Sequence, residues 1–560
     1  MKNVTSSGRF LHMSALPLVL GAIHALAFAP RPLPAWSLPF VQVFVLAALL
    51  FRLQTAVRHR DAAAMALAFG LGHFGLGLYW LYNSMHVHGG LAPPPAALGV
   101  LALAAYLSLY PVLATLLARR LTPAGPAVQT PETAERHWAR QLGDTAVWAS
   151  AWTLGEWLRG TLLTGFPWLN IAYAHVEGVL APWAPLVGAY GLAWLAAFAA
   201  AAIAALARHK DSRNDARSAV GVGVAIVIGL AGIGLGHVRW TQPLGDPLII
   251  RLVQGNVPQA QKFDPALFEQ GLNQYLMLAD LPAKADDARP ALIALPETVI
   301  PVFQSQVPDG LWEAWRAVAA RHEATILMGV PLAGPEPGRY TNSAITLDAN
   351  TPIDQLVRAT TNARYDKHHL VPFGEFIPPG FAWFVNAMRI PLGNFSAGPV
   401  RQALFPLETQ RIAPDICYED VFGEEILRSV RDSAAHGPGA SILINLSNLA
   451  WFGDTWAQRQ HLQIARMRAL ETGRPMLRAT NTGMTAAIAP DGRVGAVLQP
   501  WQAGVLDVEV QGMQGLTPYV KTGNAPVLGL CLALLALAGH ARWRGRSHER
   551  SPKCKPGVKL

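Results

Sequence analysis

The chain has 560 residues, which is too long for one hydrophobic core and predicts two or more domains. Hydrophobic residues make up 51% of it and charged residues only 14%, against about 25% charged in soluble proteins, so the composition indicates a membrane protein. The formal net charge of +9 does not indicate nucleic-acid binding, because the basic residues gather in short loops between apolar stretches and in the C-terminal tail.

Eight apolar stretches are predicted to be transmembrane helices, because most of them approach or exceed the roughly 20 residues that cross a bilayer. They are 11–29, 37–53, 62–83, 92–118, 144–163, 186–206, 217–237 and 523–541. The first resembles a signal peptide, but Pro30-Arg31-Pro32 and another apolar stretch follow it instead of a small-residue cleavage site. We therefore expect a polytopic α-helical membrane protein with about eight spans.

The distribution of basic residues predicts the orientation of these spans. With the N-terminus in the cytoplasm, the inside loops 53–61, 119–143 and 207–217 and the tail 542–560 are rich in Arg and Lys. The outside loops 30–36, 84–91 and 164–185 together hold one basic residue, Arg31. Because basic loops stay in the cytoplasm, the long segment 238–522 is expected outside it.

The segment 238–522 has the pattern of one α/β domain, because β-prone runs of 5–8 residues alternate there with amphipathic helical patterns. The predicted strands are Ile249–Gly255, Ala291–Pro296, Thr325–Val330, Ser343–Leu347, Ile412–Cys417, Ile442–Leu446 and Met484–Ala489, and the predicted helices are Leu311–Ala320 and Trp456–Thr472. The expected organisation is a seven-helix transmembrane domain, an outer catalytic domain, a last span and a basic cytoplasmic tail, with bounds 1–237, 238–522, 523–541 and 542–560.

Cys417 is the first candidate functional residue. It lies in Asp415-Ile416-Cys417-Tyr418-Glu419-Asp420, at the end of the predicted strand Ile412–Cys417. The predicted topology places Cys417 outside, Cys531 in the last span and Cys554 inside, so no two cysteines can pair. An unpaired thiol in an oxidising compartment favours a nucleophile, with a buried core cysteine as the alternative.

A cysteine nucleophile needs a base and a group that stabilises the oxyanion. Glu297 follows the apolar run Leu292–Leu295, where partial burial would raise its pKa towards that of a useful base; an ordinary Glu at a strand end is the alternative. Lys367 could supply a fixed cation, unless it is a solvated loop lysine. The neighbouring His368 and His369 point different ways in an extended chain and predict no metal site.

Three ordered blocks carry a resemblance to a known superfamily. Leu295-Pro296-Glu297, the run from Tyr365 through Lys367 to Glu375, and Ile416-Cys417-Tyr418-Glu419 resemble the Glu, Lys and Cys blocks of the carbon–nitrogen hydrolase (nitrilase) superfamily. With spans on both sides, the chain resembles the apolipoprotein N-acyltransferases, membrane-embedded members of that superfamily. Further matching segments are Glu156–Gly160, Thr164–Trp168, Val253–Gln259 and Asn445–Gly453.

This resemblance implies a protein of the bacterial inner membrane whose catalytic domain, an α-β-β-α sandwich, lies in the periplasm. It also implies a two-step acyl transfer that uses no metal or cofactor. Glu297 would deprotonate Cys417, whose thiolate attacks a phospholipid ester, typically the sn-1 ester of phosphatidylethanolamine, while Lys367 and backbone amides hold the oxyanion. The thioester would then acylate the α-amino group of a diacylglyceryl-cysteine at the N-terminus of an apolipoprotein. The expected partners are these two substrates and the bilayer, and a monomer is expected.

Supporting roles also follow from the resemblance. Glu375 would orient Lys367 or Glu297, and Tyr418 and Glu419 would line the pocket beside the thiol. The family carries an aromatic residue, often Trp, after a basic one near residue 262, and this chain has Phe263 there. An aromatic contact would survive that change but an indole hydrogen bond would not.

Two aromatic clusters are interpreted as mobile arms through which lipid tails reach the site, since aromatic residues are common at bilayer interfaces. Ordinary core packing is the alternative. The clusters are Phe376, Phe381, Trp383 and Phe384, and Trp451, Phe452 and Trp456. Near the outer end of one span, Glu156 and Arg159 share a helical face, where they either pair or contact a lipid headgroup.

Two other functions compete with acyl transfer. A membrane-tethered amidase of the same fold would use water instead of an amine as the second acceptor, but eight spans exceed what anchoring requires. A transporter with an outer cargo-binding domain is the second rival. The spans lack the paired, broken, polar helices that mark a transport path.

Overall fold

The computed structural model describes residues 6–29, 33–122, 134–208, 219–264, 266–283, 289–333, 338–358, 360–361, 363–380, 395–435 and 437–549. Of the residues discussed above, Pro30, Arg31, Pro32, Phe381, Trp383, Phe384 and Cys554 lie outside these ranges, as do residues 550–560 of the basic tail. The N-terminal part is a helical bundle, here called the helical domain, and the part from residue 242 to 514 is an α/β sandwich.

Seven longer helices build the helical domain within its described residues. They are α1 Ser6–Ala25, α2 Leu38–Thr55, α3 His59–Gly77, α4 Pro93–Leu121, α5 Ala134–Thr161, α6 Ala184–Arg208 and α7 Val220–Leu235. The alanine-rich α6 is largely buried, and α2, α5 and α7 pack against it. Small residues allow helices to pack closely. Between α1 and α3, for example, a Cβ added to Gly21 would overlap the carbonyl oxygen of Phe69.

The lengths and compositions of the described helices identify four that can cross a membrane. They are Ala35–Thr55, Pro93–Leu121, Ala181–Arg208 and Ala525–Arg544. A fifth is counted if α3 and the segment Leu81–His88, which meet at a bend of 63°, form one span. The apolar helices Ser14–Ala25 and Val220–Leu235 are shorter, so the total of eight spans stays a prediction.

The strands of the described residues form two six-stranded sheets and one two-stranded ribbon. The strands are β1 Gln242–Pro243, β2 Leu248–Gln254, β3 Leu292–Ala294, β4 Thr325–Ala333, β5 Tyr340–Leu347, β6 Arg364–Asp366, β7 Phe405–Leu407, β8 Gln410–Ile416, β9 Ile442–Ser447, β10 Met476–Thr480, β11 Ala486–Ile488, β12 Val494–Val497, β13 Gly504–Val510 and β14 Met513–Gln514. The first sheet has the order β13-β2-β3-β4-β5-β6 and the second β12-β11-β10-β9-β8-β7.

The two large sheets pack face to face, with helices on their outer faces. Apolar residues of both sheets, such as Ile250, Leu327, Ile416 and Ile444, form one buried core between them. The outer helices are α8 Phe268–Ala279 and α9 Asp309–His322 on the first sheet, and α10 Gly423–Val430 and α11 Ala457–Thr472 on the second. This layering confirms the predicted α-β-β-α sandwich.

The sandwich is attached to the helical domain along α11. This helix packs against α6 and is buried along most of its length. After β14, a last helix, α12 Ala525–Glu549, returns to the bundle and packs along α5. In the sandwich, the predicted catalytic residues Glu297 and Cys417 come shortly after the C-terminal ends of β3 and β8.

Candidate active site

Cys417 follows β8 directly and begins a short 3-10 turn, Cys417–Val421. Its backbone has φ +54°, a left-handed conformation that non-glycine residues rarely adopt and that often marks functional sites. The residue as a whole is half-buried. Burial and the charge of Glu297 raise the pKa of Cys417 well above its ordinary value, whereas Lys367 acts to lower it, so the thiol needs a base to react as a thiolate.

Glu297 follows β3 and is buried, as the position after an apolar strand predicted. Its Oε1 accepts a hydrogen bond of 2.8 Å from Asn342 Nδ2 and lies 3.6 Å from Lys367 Nζ. Its Oε2 accepts a 3.0 Å bond from the backbone N–H of Asn448. These contacts fix the carboxylate in one orientation beside the lysine.

Lys367 follows β6, and its side chain is only 1% exposed. Its Nζ donates a 2.9 Å hydrogen bond to Glu375 Oε1. Burial alone would lower the pKa of Lys367, but the charges of Glu375, Glu297 and Cys417 together raise it above its ordinary value. The side chain is therefore a permanent, buried cation rather than a solvated loop lysine.

Glu375 and Asn342 hold the base and the cation together. Glu375 Oε1 accepts hydrogen bonds from both Lys367 and Asn342, and its Oε2 accepts a 2.8 Å bond from the backbone N–H of Val371. Asn342 Nδ2 thus donates to Glu375 at 2.7 Å and to Glu297 at 2.8 Å. Of the two orientation roles expected for Glu375, the direct contact is with Lys367.

Glu419 joins the lysine segment to the cysteine turn. Its Oε1 accepts from the backbone N–H groups of His368 and His369 at 2.7 and 3.1 Å, and its Oε2 accepts from Ile416 N and Tyr365 Oη at 2.7 and 2.9 Å. Glu419 is only 3% exposed, and these four hydrogen bonds engage both of its carboxylate oxygens.

Tyr418 points towards the helical domain. Its hydroxyl donates a 3.2 Å bond to the carbonyl oxygen of Gly165, and its ring lies parallel to that of Trp168, with centroids 6.5 Å apart. Trp168 belongs to the Thr164–Trp168 segment singled out in the sequence. Tyr418 therefore connects the cysteine turn to the bundle.

Phe263 and Trp451 lie close to each other, with ring centroids 6.2 Å apart, and Trp451 also contacts His88 at 5.5 Å. Phe452 contacts Trp80 of the helical domain at 4.4 Å. The aromatic segment around Trp451 is thus packed, in this structure, between the sandwich and the bent end of α3. The interpretation of this segment as a mobile arm stays a prediction.

Lys262 and the polar residues around Glu297 were not assigned roles from the sequence. Lys262 Nζ donates a 3.0 Å bond to the backbone carbonyl of Glu297. Burial lowers the pKa of Lys262 to about 7, although the charge of Glu297 opposes that shift. Lys262 lies just after the matching segment Val253–Gln259 and Asn448 lies within Asn445–Gly453, so the resemblance could have indicated a role for both. No sequence pattern indicated a role for Asn342.

Glu156 and Arg159 form an ion pair in α5. Arg159 also donates to the carbonyl oxygens of Phe166 and Trp168, the latter at 2.7 Å. Pairing, the first of the two expected roles, is therefore what the structure contains. Among the described residues, no group of three or more His, Cys, Asp or Glu side chains has the geometry of a metal site.

Glu297, Lys367 and Cys417 thus come from separate segments: Lys367 lies beside Glu297, and the charges of both act on the Cys417 thiol. A carboxylate next to a thiol can accept its proton, and a buried ammonium can stabilise an oxyanion that forms on a carbonyl attacked by sulfur. This arrangement suits nucleophilic acyl transfer through a thioester.

Comparisons with known proteins identify the family. The Carbon-nitrogen hydrolase family matches residues 249–519, and the Apolipoprotein N-acyltransferase N-terminal domain matches residues 20–202. An apolipoprotein N-acyltransferase of Bordetella bronchiseptica is 54% identical over 534 residues, covering 95% of this chain and 97% of that protein. One of Ralstonia nicotianae is 45% identical over 542 residues, covering 96% and 95%.

Among solved structures, a carbon–nitrogen hydrolase superfamily protein from Xanthomonas campestris aligns with 56% of this chain and 100% of its own, at 18% identity and a TM-score of 0.36. The full-length similarity to curated relatives is the stronger finding, because it spans both the helical domain and the sandwich. This chain belongs to the apolipoprotein N-acyltransferase family.

Proposed function

We propose that this enzyme transfers a fatty acyl chain from a membrane phospholipid to the free α-amino group of an apolipoprotein's N-terminal diacylglyceryl-cysteine. The names of the full-length relatives support the reaction class. The observation that carries the chemistry is the convergence of Glu297 and Lys367 on the segment that bears Cys417, with Lys367 Nζ 3.6 Å from Glu297 Oε1.

The first half-reaction acylates Cys417. Glu297 accepts the proton from Sγ, and the thiolate attacks the ester carbonyl carbon of the phospholipid. When the tetrahedral intermediate collapses, the carbon–oxygen bond breaks and Glu297 returns the proton to the departing alkoxide. The products are a thioester on Cys417 and a lysophospholipid.

Lys367 stabilises the oxyanion that forms in both half-reactions. Its ammonium is held by Glu375 and faces Glu297, so its position is set before substrate binds. A donor that is fixed in a water-poor site lowers the barrier without reorganising during the reaction. Backbone N–H groups of the turn after Cys417 complement it.

The second half-reaction transfers the acyl group to an amine. The neutral α-amino group of the diacylglyceryl-cysteine attacks the thioester carbonyl, the carbon–sulfur bond breaks, and Glu297 passes a proton from the amine to Sγ. The product is an amide, and Cys417 is regenerated as a thiol. A thioester persists long enough for this step only if water is kept out.

The helical domain supplies the membrane location for both lipid substrates. We propose eight spans in the bacterial inner membrane, with the sandwich in the periplasm and the bounds 1–237, 238–522, 523–541 and 542–560. Four long apolar helices support this placement, as does the concentration of basic residues in loops 53–61, 119–143 and 207–217. The phospholipid and the lipoprotein would both reach Cys417 from the bilayer.

The test is to incubate purified enzyme with phospholipid that carries a labelled sn-1 chain and to trap the acyl-enzyme. We expect the label on Cys417, its release by hydroxylamine, and its transfer to a diacylglyceryl lipopeptide. Cys417→Ala and Glu297→Gln should form no acyl-enzyme. The matched variants Cys531→Ala, in α12, and Glu313→Gln, exposed on α9, should react like the wild type.

Other outcomes select the rival functions. Release of labelled fatty acid without any lipopeptide, at the rate seen with it, would assign a water-using amidase. Absence of label on Cys417 would contradict acyl transfer by this thiol, and wild-type labelling of Cys417→Ala would overturn the assignment of the nucleophile.

A further inference from the structure

The left-handed backbone of Cys417 has a cost that its surroundings must offset. Such conformations in non-glycine residues cost on the order of 1–3 kcal/mol and persist only where neighbouring contacts determine them. On one side, Ile416 N donates to Glu419 Oε2 at 2.7 Å and Asn445 Nδ2 donates to the carbonyl oxygen of Cys417 at 3.0 Å. On the other side, the turn continues to Asp420, which is fully buried.

Asp420 belongs to a closed set of three buried side chains, here called the buried triangle: Asp420, His461 and Arg478. Asp420 Oδ1 lies 2.6 Å from His461 Nε2, and its Oδ2 accepts a 3.1 Å bond from Arg478 Nη1. Arg478 Nη2 lies 2.8 Å from His461 Nδ1, which closes the triangle. Each side chain is 0% exposed.

The tautomer of His461 follows from these contacts. A guanidinium can only donate, so Nδ1 accepts from Arg478 and the proton lies on Nε2, which donates to Asp420. Burial, followed by the charge of Arg478, lowers the pKa of His461, in agreement with a neutral ring. The three groups come from the turn after Cys417, from α11 and from β10, so the triangle fixes the turn to the second sheet.

The helical domain contacts this triangle through Trp168. The Trp168 ring stacks on the His461 ring, with centroids 5.3 Å apart and planes at 21°. Trp168 Nε1 donates a 2.8 Å bond to Gln460 Oε1, and Arg159 Nη1 donates a 2.7 Å bond to the Trp168 carbonyl. A residue of the bundle therefore packs on the triangle that holds the cysteine turn.

We propose that the buried triangle is a positioning device: it holds the Cys417 turn in its reactive geometry and makes that geometry depend on Trp168 of the helical domain. The proposal rests on the proposed acyl transfer, in which Cys417 must meet a carbonyl that Lys367 also contacts. Displacement of a reacting group by about 1 Å can slow a reaction about 100-fold. None of the three side chains takes part in proton transfer.

The first experiment compares two replacements of His461 in the full-length enzyme. His461→Gln keeps a donor for Asp420 and an acceptor for Arg478, whereas His461→Phe keeps a ring for Trp168 but neither bond. We expect His461→Phe to lower the rate of acyl-enzyme formation at saturating phospholipid by about 10- to 100-fold, with KM within about threefold, and His461→Gln to restore most of it. Wild-type kinetics in His461→Phe would overturn the proposal.

A second readout separates positioning from loss of fold, and needs no lipid. Iodoacetamide alkylation of Cys417 as a function of pH reports on the charges that act on the thiol, which are those of Glu297, Lys367, Glu375 and Asp420. In folded His461→Phe the profile should differ from that of the wild type, because a displaced thiol lies at new distances from these four charges. Asp507→Asn, which breaks the buried ion pair with Arg251 in the other sheet, should leave the profile unchanged.

The link to the helical domain is tested by a double-variant cycle. Trp168→Leu removes the stacking on His461, and we expect it to slow acylation more than Trp168→Phe does. If both residues act through one geometry, Trp168→Leu with His461→Phe should be about as slow as the slower single variant. Effects that multiply would refute the link. Failure of the wild type to form a thioester would refute the proposed function instead, and the alkylation profiles would still test the triangle.

Discussion

At the scale of single residues, the surroundings of Lys367 leave little room for substitution. Its ammonium is buried between Glu375 and Glu297, and a planar guanidinium is larger and spreads its donors differently. We expect Lys367→Arg to lose at least about 100-fold in the rate of acyl-enzyme formation, although the positive charge is kept. The same substitution at the exposed Lys521 serves as the control. Near-wild-type acylation by Lys367→Arg would mean that charge alone is sufficient.

Lys262 should make stability depend on pH. Burial lowers its pKa to about 7 in the folded enzyme, whereas an unfolded lysine titrates near 10.4. Between about pH 7 and 10 the unfolded chain therefore binds more protons than the folded one, so this lysine makes stability rise with pH, by up to about 1.4 kcal/mol per pH unit.

The measurement is the melting temperature of detergent-solubilised enzyme at pH 7, 8 and 9. Wild type should gain more stability over this range than Lys262→Met does. Lys521→Met, at an exposed position, should behave as the wild type. Equal pH dependence in wild type and Lys262→Met would show that Lys262 stays charged in the folded protein.

Sequence patterns located the reacting groups but not the residues that hold them. Glu297, Lys367 and Cys417 stand in ordered blocks with a strand before each, which is a local signal. Asn342 contacts both Glu297 and Glu375 from a strand that pairs with β6, and Arg478 reaches Asp420 from β10. Such contacts depend on strand order and register, which no run of residue types in one chain reveals.

At the scale of elements, α11 connects the two parts of the molecule through Gln460. Its Oε1 accepts from Trp80 Nε1 at 3.0 Å and from Trp168 Nε1 at 2.8 Å, and its Nε2 donates to the carbonyl oxygen of Gly77 at 3.1 Å. One buried side chain of the sandwich thus joins the end of α3 to the segment that carries Trp168.

Gln460→Leu should destabilise the enzyme, because buried polar groups would lose their partner. An unsatisfied buried donor or acceptor costs about 1–3 kcal/mol, so we expect a lower melting temperature by intrinsic tryptophan fluorescence. Gln270→Leu, at an exposed position of α8, is the matched control. A melting temperature equal to that of the wild type in Gln460→Leu would show that water replaces the lost bonds.

The predicted elements coincide with the observed ones where a whole buried strand or an amphipathic helix gives a clear pattern. Trp456–Thr472 was expected and Ala457–Thr472 is found, and Ile249–Gly255 corresponds to Leu248–Gln254. The strand predicted at Met484–Ala489 is only Ala486–Ile488. Met484 and Thr485 are buried without strand pairing, so apolar character there reflects packing rather than a longer strand.

At the scale of the whole molecule, hydropathy and charge answer different questions. Four of the described helices are long and apolar enough to cross a membrane, or five if the bent α3 and Leu81–His88 form one span. Shorter helices and helices with several charged residues are not among them. Helix α5 is an example: it is 28 residues long but carries the Glu156–Arg159 pair. Glu156 and Arg159 pair inside the protein, which is how ionisable groups would be accommodated if this helix crosses the membrane as predicted.

The orientation of the sandwich is the last prediction. If basic loops stay in the cytoplasm, a reporter inserted at Asn350, an exposed loop residue, should be active only outside it, and reporters at Arg58 and after residue 545 only inside. Alkaline phosphatase and green fluorescent protein fusions at each site give opposite readings for the two sides. A cytoplasmic reading at Asn350 would mean that Cys417 and periplasmic lipoproteins lie on opposite sides of the membrane. That result would contradict the proposed acceptor. The reading at residue 545 checks the parity of the spans independently, because an odd number would put that end outside.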